Sequence, residues 1–297
     1  MLRVVAIGKQ NFSELRKKNC FYVDKTRFIQ DWWNSQDDVT LITRPRRFGK
    51  TLMLDTVRTF FSPEFSDQSN LFEGLEIWKD EKFRTVHGTI PVIFVTFADI
   101  KEYNYNDSIS SIKEIIITIY RYFARLLDKT KFSDWEKELF SSINDTTSDQ
   151  KLKRSLCNLS ECLTYRYGNK PIILLDEYDA PLQEAWLNGY WDKLVDFMRG
   201  FLNSTFKTNP YLERGLLTGV TRISKESIFS DLNNLEVVTT TSDLYTDCFG
   251  FTEQEVFAAM DEYGLVNKAE VKWWYDGFIF GDQREIYNPW SIICYIR

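Results

Sequence analysis

Short apolar runs alternate with longer segments of helical periodicity along most of the chain. Val39-Thr40-Leu41-Ile42-Thr43 is β-branched and apolar, the pattern of a strand. Arg44-Pro45-Arg46-Arg47-Phe48-Gly49 breaks it. From Lys50, apolar residues recur at roughly helical spacing through Leu52, Leu54, Val57, Phe60 and Phe61, until Pro63 stops the pattern. The prediction is a strand, a basic loop and a helix.

The same alternation continues. Ile90 to Phe97 is a strand apolar on both faces, as in the interior of a parallel sheet. A long helix is predicted from Asp107 to Leu127, followed by helices around Phe132 to Ser142 and Asp149 to Tyr167, the last ended by Gly168-Asn169. Pro171 to Leu175 is a third strand, ending on Asp176-Glu177. A helical region from Pro181 to Thr205, a fourth strand over Gly215 to Ile223 and a shorter fifth over Glu236 to Thr241 complete the series. Strands separated by helices require crossovers, so the fold class is α/β, a mostly parallel sheet flanked by helices.

After about residue 247 the texture changes. Thr252-x-x-Glu255 is a capping box opening a helix, and Asp276-Gly277 and Gly281-Asp282 are turns beside short extended pieces. Asn288-Pro289 starts another helix that is still open at Arg297. The expected organisation is an α/β domain over 1–246 and a small, mainly helical, lid-like segment over 247–297. From the open helix, the chain is expected to be a fragment of a longer protein.

Composition narrows the chemistry. At 43% hydrophobic and 27% charged, the 297 residues belong to an ordered globular chain. No apolar run approaches the roughly 20 residues that cross a bilayer, and the first residues lack the apolar core of a secretory signal, so the expected setting is cytoplasmic and no membrane partner is expected. Five scattered cysteines with no C-x-x-C pair argue against a disulfide framework or thiolate zinc site. A single histidine, His87, argues against multi-histidine metal sites and a Ser-His-Asp mechanism; it reads as a loop residue between Val86 and Gly88. A net charge of −6 excludes a generally basic nucleic-acid-binding chain, leaving only a local patch.

Arg46-Arg47-Phe48-Gly49-Lys50-Thr51-Leu52 lies where a P-loop (Walker A) belongs, between the first strand and its helix. Backbone N–H groups and the positive end of the helix cradle phosphates there. Lys50 would reach the β- and γ-phosphates, and the Thr51 hydroxyl would ligate Mg²⁺. The first glycine of the usual pattern is replaced by Arg44. Arg44, Arg46 and Arg47 together offer a guanidinium clamp for the triphosphate, with a solvated loop or a nucleic-acid contact as alternatives.

The strand ending on Asp176-Glu177 resembles a Walker B element. Asp176 suits Mg²⁺ and Glu177 suits the attacking water, with Asp179 able to orient the site. Thr218-Gly219-Val220-Thr221-Arg222 ends the fourth strand, where a polar group would lie beside the γ-phosphate and Arg222 would sense its charge; a surface arginine is the alternative.

Taken together these residues resemble the AAA-ATPase-like domain proteins of bacteria, within the P-loop NTPase superfamily. The likeness extends over Ile7-Gly8, Phe12, Tyr22 to Thr26, Arg44 to Thr51, Leu174 to Asp179, Thr218 to Phe229, Asn233 to Leu235, Trp274 to Phe278 and Tyr287 to Ser291. The R-P-R-R-F-G-K-T string is specific to this family, so its missing glycine is a family trait.

The resemblance implies an AAA/ASCE-like core that binds ATP with Mg²⁺. It places Lys50 and Thr51 in the phosphate loop and Asp176 and Glu177 in the Mg²⁺ and hydrolysis motif. With the reading of Arg222 above, the residues expected at the site are Lys50, Glu177 and Arg222 for catalysis, 46–52 for the nucleotide, and Thr51 and Asp176 for the metal. It also implies a C-terminal nuclease-like domain of the PD-(D/E)xK type outside these residues, through which DNA or RNA would be the partner. Tyr22 to Thr26 would close over the nucleotide through Asp24 or Lys25, or form an N-terminal strand on the sheet. Two functions are expected: an ATP hydrolase coupling nucleotide state to an attached effector domain, or a non-hydrolysing nucleotide-binding switch.

Overall fold

The computed structural model describes residues 2–221, 228–229 and 232–297. In chain order, the first elements are α1 (Phe12–Lys17), α2 (Arg27–Ser35), β1 (Val39–Thr43), α3 (Lys50–Phe61), α4 (Glu81–Val86) and β2 (Val92–Thr96). Next come α5 (Tyr105–Leu126), α6 (Asp134–Ser141), α7 (Asp149–Tyr167), β3 (Ile172–Asp176), α8 (Ala180–Asn188), α9 (Trp191–Leu202), β4 (Arg214–Gly219) and β5 (Leu235–Val238). The last are β6 (Phe251–Thr252), α10 (Glu253–Glu262), α11 (Lys268–Tyr275), β7 (Phe278–Phe280), β8 (Gln283–Tyr287) and α12 (Pro289–Ile296).

Strands β1 to β5 form one all-parallel sheet in the order β2-β3-β4-β1-β5, flanked by helices. The alternation of apolar runs and helical segments therefore produces the α/β architecture it predicts. By backbone contacts the chain divides into two compact units. One holds Met1–Gln36, Ile42–Gly88 and Val237–Arg297; the other holds Asp37–Leu41 and Thr89–Glu236.

In the second unit β3 is buried along its whole length, paired with β2 from Val92↔Ile172 to Thr96↔Asp176 and with β4 from Ile172↔Arg214 to Leu175↔Leu217. A strand covered on both faces has no solvent side, which is why Ile172 to Leu175 are continuously apolar. The Tyr120 hydroxyl of α5 donates to the Ser155 carbonyl of α7 at 2.7 Å, satisfying a phenol buried between two helices. The helical region expected from Pro181 to Thr205 is two helices, broken where Gly189 turns left-handed at φ +78°. The fourth strand, expected to reach Ile223, ends at Gly219. Arg222 and Ile223 lie outside the described residues.

In the first unit, Gly49 precedes α3 and Ser62-Pro63 follows it. Toward the C-terminus, β6, β8 and β7 form a small antiparallel sheet beside α10, α11 and α12. The Thr252–Glu255 capping box and the Asn288 cap are both formed as the sequence predicts. Phe21 joins Phe251, Val256, Met260, Tyr287 and Ile292 in one apolar cluster, so this part of the chain shares a core with the N-terminal segment.

Candidate nucleotide site

The loop between β1 and α3 is built around residues of opposite character. Arg46 and Arg47 are exposed, Phe48 is 1% exposed, and Lys50 is 6% exposed. Gly49 has φ +82°, a left-handed conformation that admits glycine without strain, and Arg47 adopts φ +70° despite its side chain. After Gly49 the chain enters α3, whose first turn carries no acidic residue. The positive end of the helix dipole thus adjoins the loop with no acidic side chain in its own first turn.

The Lys50 ammonium donates to the carbonyls of Arg44 and Pro45, both at 3.0 Å. It is therefore held against the loop it would serve, aligned by neutral acceptors. Thr51 and Leu52 follow in the first turn, both half-buried.

Arg44 departs from expectation. It is fully buried, and its guanidinium donates to the carbonyls of Thr43 at 3.0 Å, Thr239 at 2.7 Å, and Leu244 and Tyr245 at 3.4 Å. Phe280 lies under it at 4.6 Å. Desolvation pulls its pKa down to about 10, so it stays charged at neutral pH. The proposed three-arginine clamp is therefore corrected. Arg44 braces the loop against residues 239–245 with its whole guanidinium, the unbonded Nε included, buried, leaving Arg46 and Arg47 as the exposed guanidiniums.

Phe48 reverses direction and anchors the loop. Its ring packs on Phe278 and Phe280, 4.8 and 5.4 Å between centroids, and against Ile286. The sequence offered no signal for this seat, because its walls come from more than 200 residues along the chain. Beside Gly49 a largely apolar cavity of about 90 Å³ is lined by Phe21, Val23, Leu52, Met53, Phe251 and Ile293, among others.

The segment Tyr22 to Thr26 is not a strand. Asp24 accepts from the backbone and hydroxyl of Thr26 and from the Glu76 N–H at 2.7 Å, and Lys25 donates to the Asp247 carbonyl and Glu255, each at 2.6 Å. These polar groups staple the segment in place, while Tyr22 and Lys25 also border the cavity.

In the other compact unit, Asp176 ends β3 with 1% exposure, and its carboxylate accepts from the Thr218 hydroxyl of neighbouring β4. Glu177 follows with φ +52° and is partly exposed. A left-handed glutamate directly after a buried strand is a strained arrangement of the type concentrated at functional sites. Asp179 is a structural group. Its Oδ2 accepts from the N–H of Val220 and Thr221, the Thr221 hydroxyl and the Gln183 amide, all within 3.0 Å. The Tyr178 hydroxyl donates to the Thr221 carbonyl at 2.8 Å. The acidic strand end thereby holds the chain up to Thr221. Arg222 itself is outside the described residues.

Among the described residues no group of three or more histidine, cysteine, aspartate or glutamate side chains could hold a metal ion, and no helix is long and apolar enough to cross a membrane.

Residues 6–229 match the family described as "Predicted AAA-ATPase". The chain is also similar to an uncharacterized protein of the vnfD 5′ region of Azotobacter chroococcum mcd 1, 26% identical over 293 residues. That alignment covers 97% of this chain and 50% of the relative, so the chain spans about half the relative's length. No solved structure matches it.

Proposed function

Because the chain belongs to the family of predicted AAA-ATPases, we propose that it binds ATP with Mg²⁺ and hydrolyses it. The observation that carries the reading is the loop of residues 46–52. Its glycine is left-handed, it runs into a helix N-terminus free of acidic side chains, and it holds a buried lysine on its own carbonyls.

In this reading the α3 N–H groups and Lys50 bind the phosphates, and Arg46 and Arg47 add charge from the exposed side of the loop. Lys50 exchanges two carbonyl acceptors for phosphate oxygens, a stronger, charge-assisted pairing. The apolar cavity beside Gly49 receives the planar base. Thr51 and Asp176 offer the hard oxygen donors that suit Mg²⁺. Mg²⁺, when bound, neutralises charge on the β- and γ-phosphates. The Thr218 hydroxyl orients the Asp176 carboxylate. Glu177 takes the proton of the attacking water, and Arg222 is assigned to the γ-phosphate charge.

Calorimetric titration with ATP and Mg²⁺ should give saturable binding that Lys50→Ala abolishes. Phosphate release should fall by about 10²-fold or more in Glu177→Gln while binding persists. Turnover that survives Glu177→Gln would remove Glu177 from the mechanism. The bracing of the loop by Arg44 and Phe48 supports a second reading, a nucleotide-binding switch without turnover; tight binding with no phosphate release selects it. Coupling of nucleotide state to an attached nuclease-like effector domain that acts on DNA or RNA is part of the same proposal, and stimulation of phosphate release by DNA or RNA in the longer protein tests it.

A further inference from the structure

Three consecutive loop residues are held by the C-terminal part of their own compact unit. The Arg46 carbonyl accepts from the Asn288 amide at 3.4 Å. The Arg47 guanidinium carbon lies 4.6 Å from the centre of the Trp290 ring. Phe48 is seated against the β7–β8 hairpin. Asn288 is also the cap of α12, its side-chain oxygen accepting from the N–H of Trp290 at 2.9 Å. On the same helix, Pro289 and Ile293 line the apolar cavity that opens on Gly49. Helix α12 thus borders both the phosphate loop and the cavity.

The Arg47–Trp290 contact is made to be exchanged. Arg47 is exposed and left-handed, and an indole face in contact with water holds a guanidinium more weakly than a phosphate oxygen does. A phosphate seated on the α3 N-terminus competes with the ring for Arg47 and wins. We infer that Trp290 is the receiver of a nucleotide signal: occupation of the loop draws Arg47 off the indole, and α12 shifts in response. This inference rests on the nucleotide-binding reading above. Ile292 and Ile296 of α12 pack in one cluster with Val256 and Met260 of α10 and Val271 of α11, so a shift of α12 is passed to both helices.

The test labels the whole chain with 5-fluorotryptophan, assigns the Trp290 resonance with Trp290→Phe, and measures ADP·Mg²⁺ binding separately by calorimetry. ADP·Mg²⁺ is expected to move the Trp290 resonance. Arg47→Ala is expected to move it in the same direction without nucleotide and to reduce the further ADP-induced movement by at least half. Arg47→Gln, neutral but similar in length, is expected to behave as Arg47→Ala does and serves if the alanine variant is poorly folded. Heat of binding with a stationary Trp290 resonance overturns the relay and leaves nucleotide binding intact. An undiminished ADP-induced movement in both Arg47 variants overturns the role of Arg47. Absence of binding heat in the wild type overturns both readings together.

Discussion

His87 is enclosed by aromatic rings, with Phe60, Phe72 and Trp78 each about 5.4–5.5 Å away and edge-on, and its Nε2 is buried without a hydrogen-bond partner. Burial lowers its pKa below the ordinary value of 6.5. The unfolded chain therefore binds a proton at a pH where the folded chain does not. Stability is full above about pH 6.5 and declines as the pH falls toward the folded pKa, by at most about 1.4 kcal/mol per pH unit. Because His87 is the single histidine, no other imidazole titrates in that window. Urea unfolding at pH 7.5 and 5.5 should show a loss in the wild type that His87→Leu abolishes; an equal loss in both would assign the acid sensitivity to carboxylates. The sequence placed His87 in a loop because Gly88 follows it, and the aromatic cage is invisible there. The burial of Arg44 was invisible for the same reason. Local spacing groups Arg44 with Arg46 and Arg47, whereas its bonding partners, apart from the adjacent Thr43 carbonyl, are carbonyls of residues 239–245.

At the scale of elements, the loop between β1 and α3 and the β7–β8 hairpin are interlocked through Phe48. Gly250 makes room for this. It stands at φ +90°, and a Cβ there would lie 2.6 Å from Ile286 Cγ2 and 3.0 Å from Phe48 Cδ1. Gly250→Ala should therefore destabilise the protein by about 2 kcal/mol or more, through backbone strain and overpacking. It should also weaken nucleotide binding, because the displaced ring carries the loop with it. A wild-type urea midpoint in this variant would show that the seat is not tight. Between β3 and β4, Thr218→Val removes the hydroxyl that the buried Asp176 carboxylate accepts from, at an expected loss of about 1–3 kcal/mol. An unfolding midpoint matching the wild type would mean that other donors suffice. Strands β1 to β5, the helices from α3 through α7 other than α4, and the Thr252 and Asn288 caps were legible in the sequence, since continuous apolar runs, 3.6-residue periodicity and Asn-Pro or Thr-x-x-Glu signals are local; α1, α2, α4 and α11 were not read from it. The partners of the strands were not legible either, because a strand pattern carries no address for the strand beside it.

For the whole molecule, ligand linkage supplies the broadest test. If the loop binds ATP, a concentration of about one hundred times Kd should add about 2.7 kcal/mol to the unfolding free energy, and Lys50→Ala should gain nothing. A thermal or urea transition unmoved by ATP·Mg²⁺ in the wild type would contradict the proposed function. The family and the α/β class were determined by the sequence, because a motif string, apolar runs and helical periodicity are all written in neighbouring residues. The pairing of acidic strand end to polar neighbour, Asp176 with Thr218, needed the register of two parallel strands. The assignment of Arg44 to the scaffold, of Phe48 to its seat, and of Arg47 to the Trp290 face needed residues 239–290 brought back to the loop. Only tertiary structure decided these, because hydrogen bonds, ring contacts and desolvation act over a few ångströms of space and are indifferent to separation along the chain.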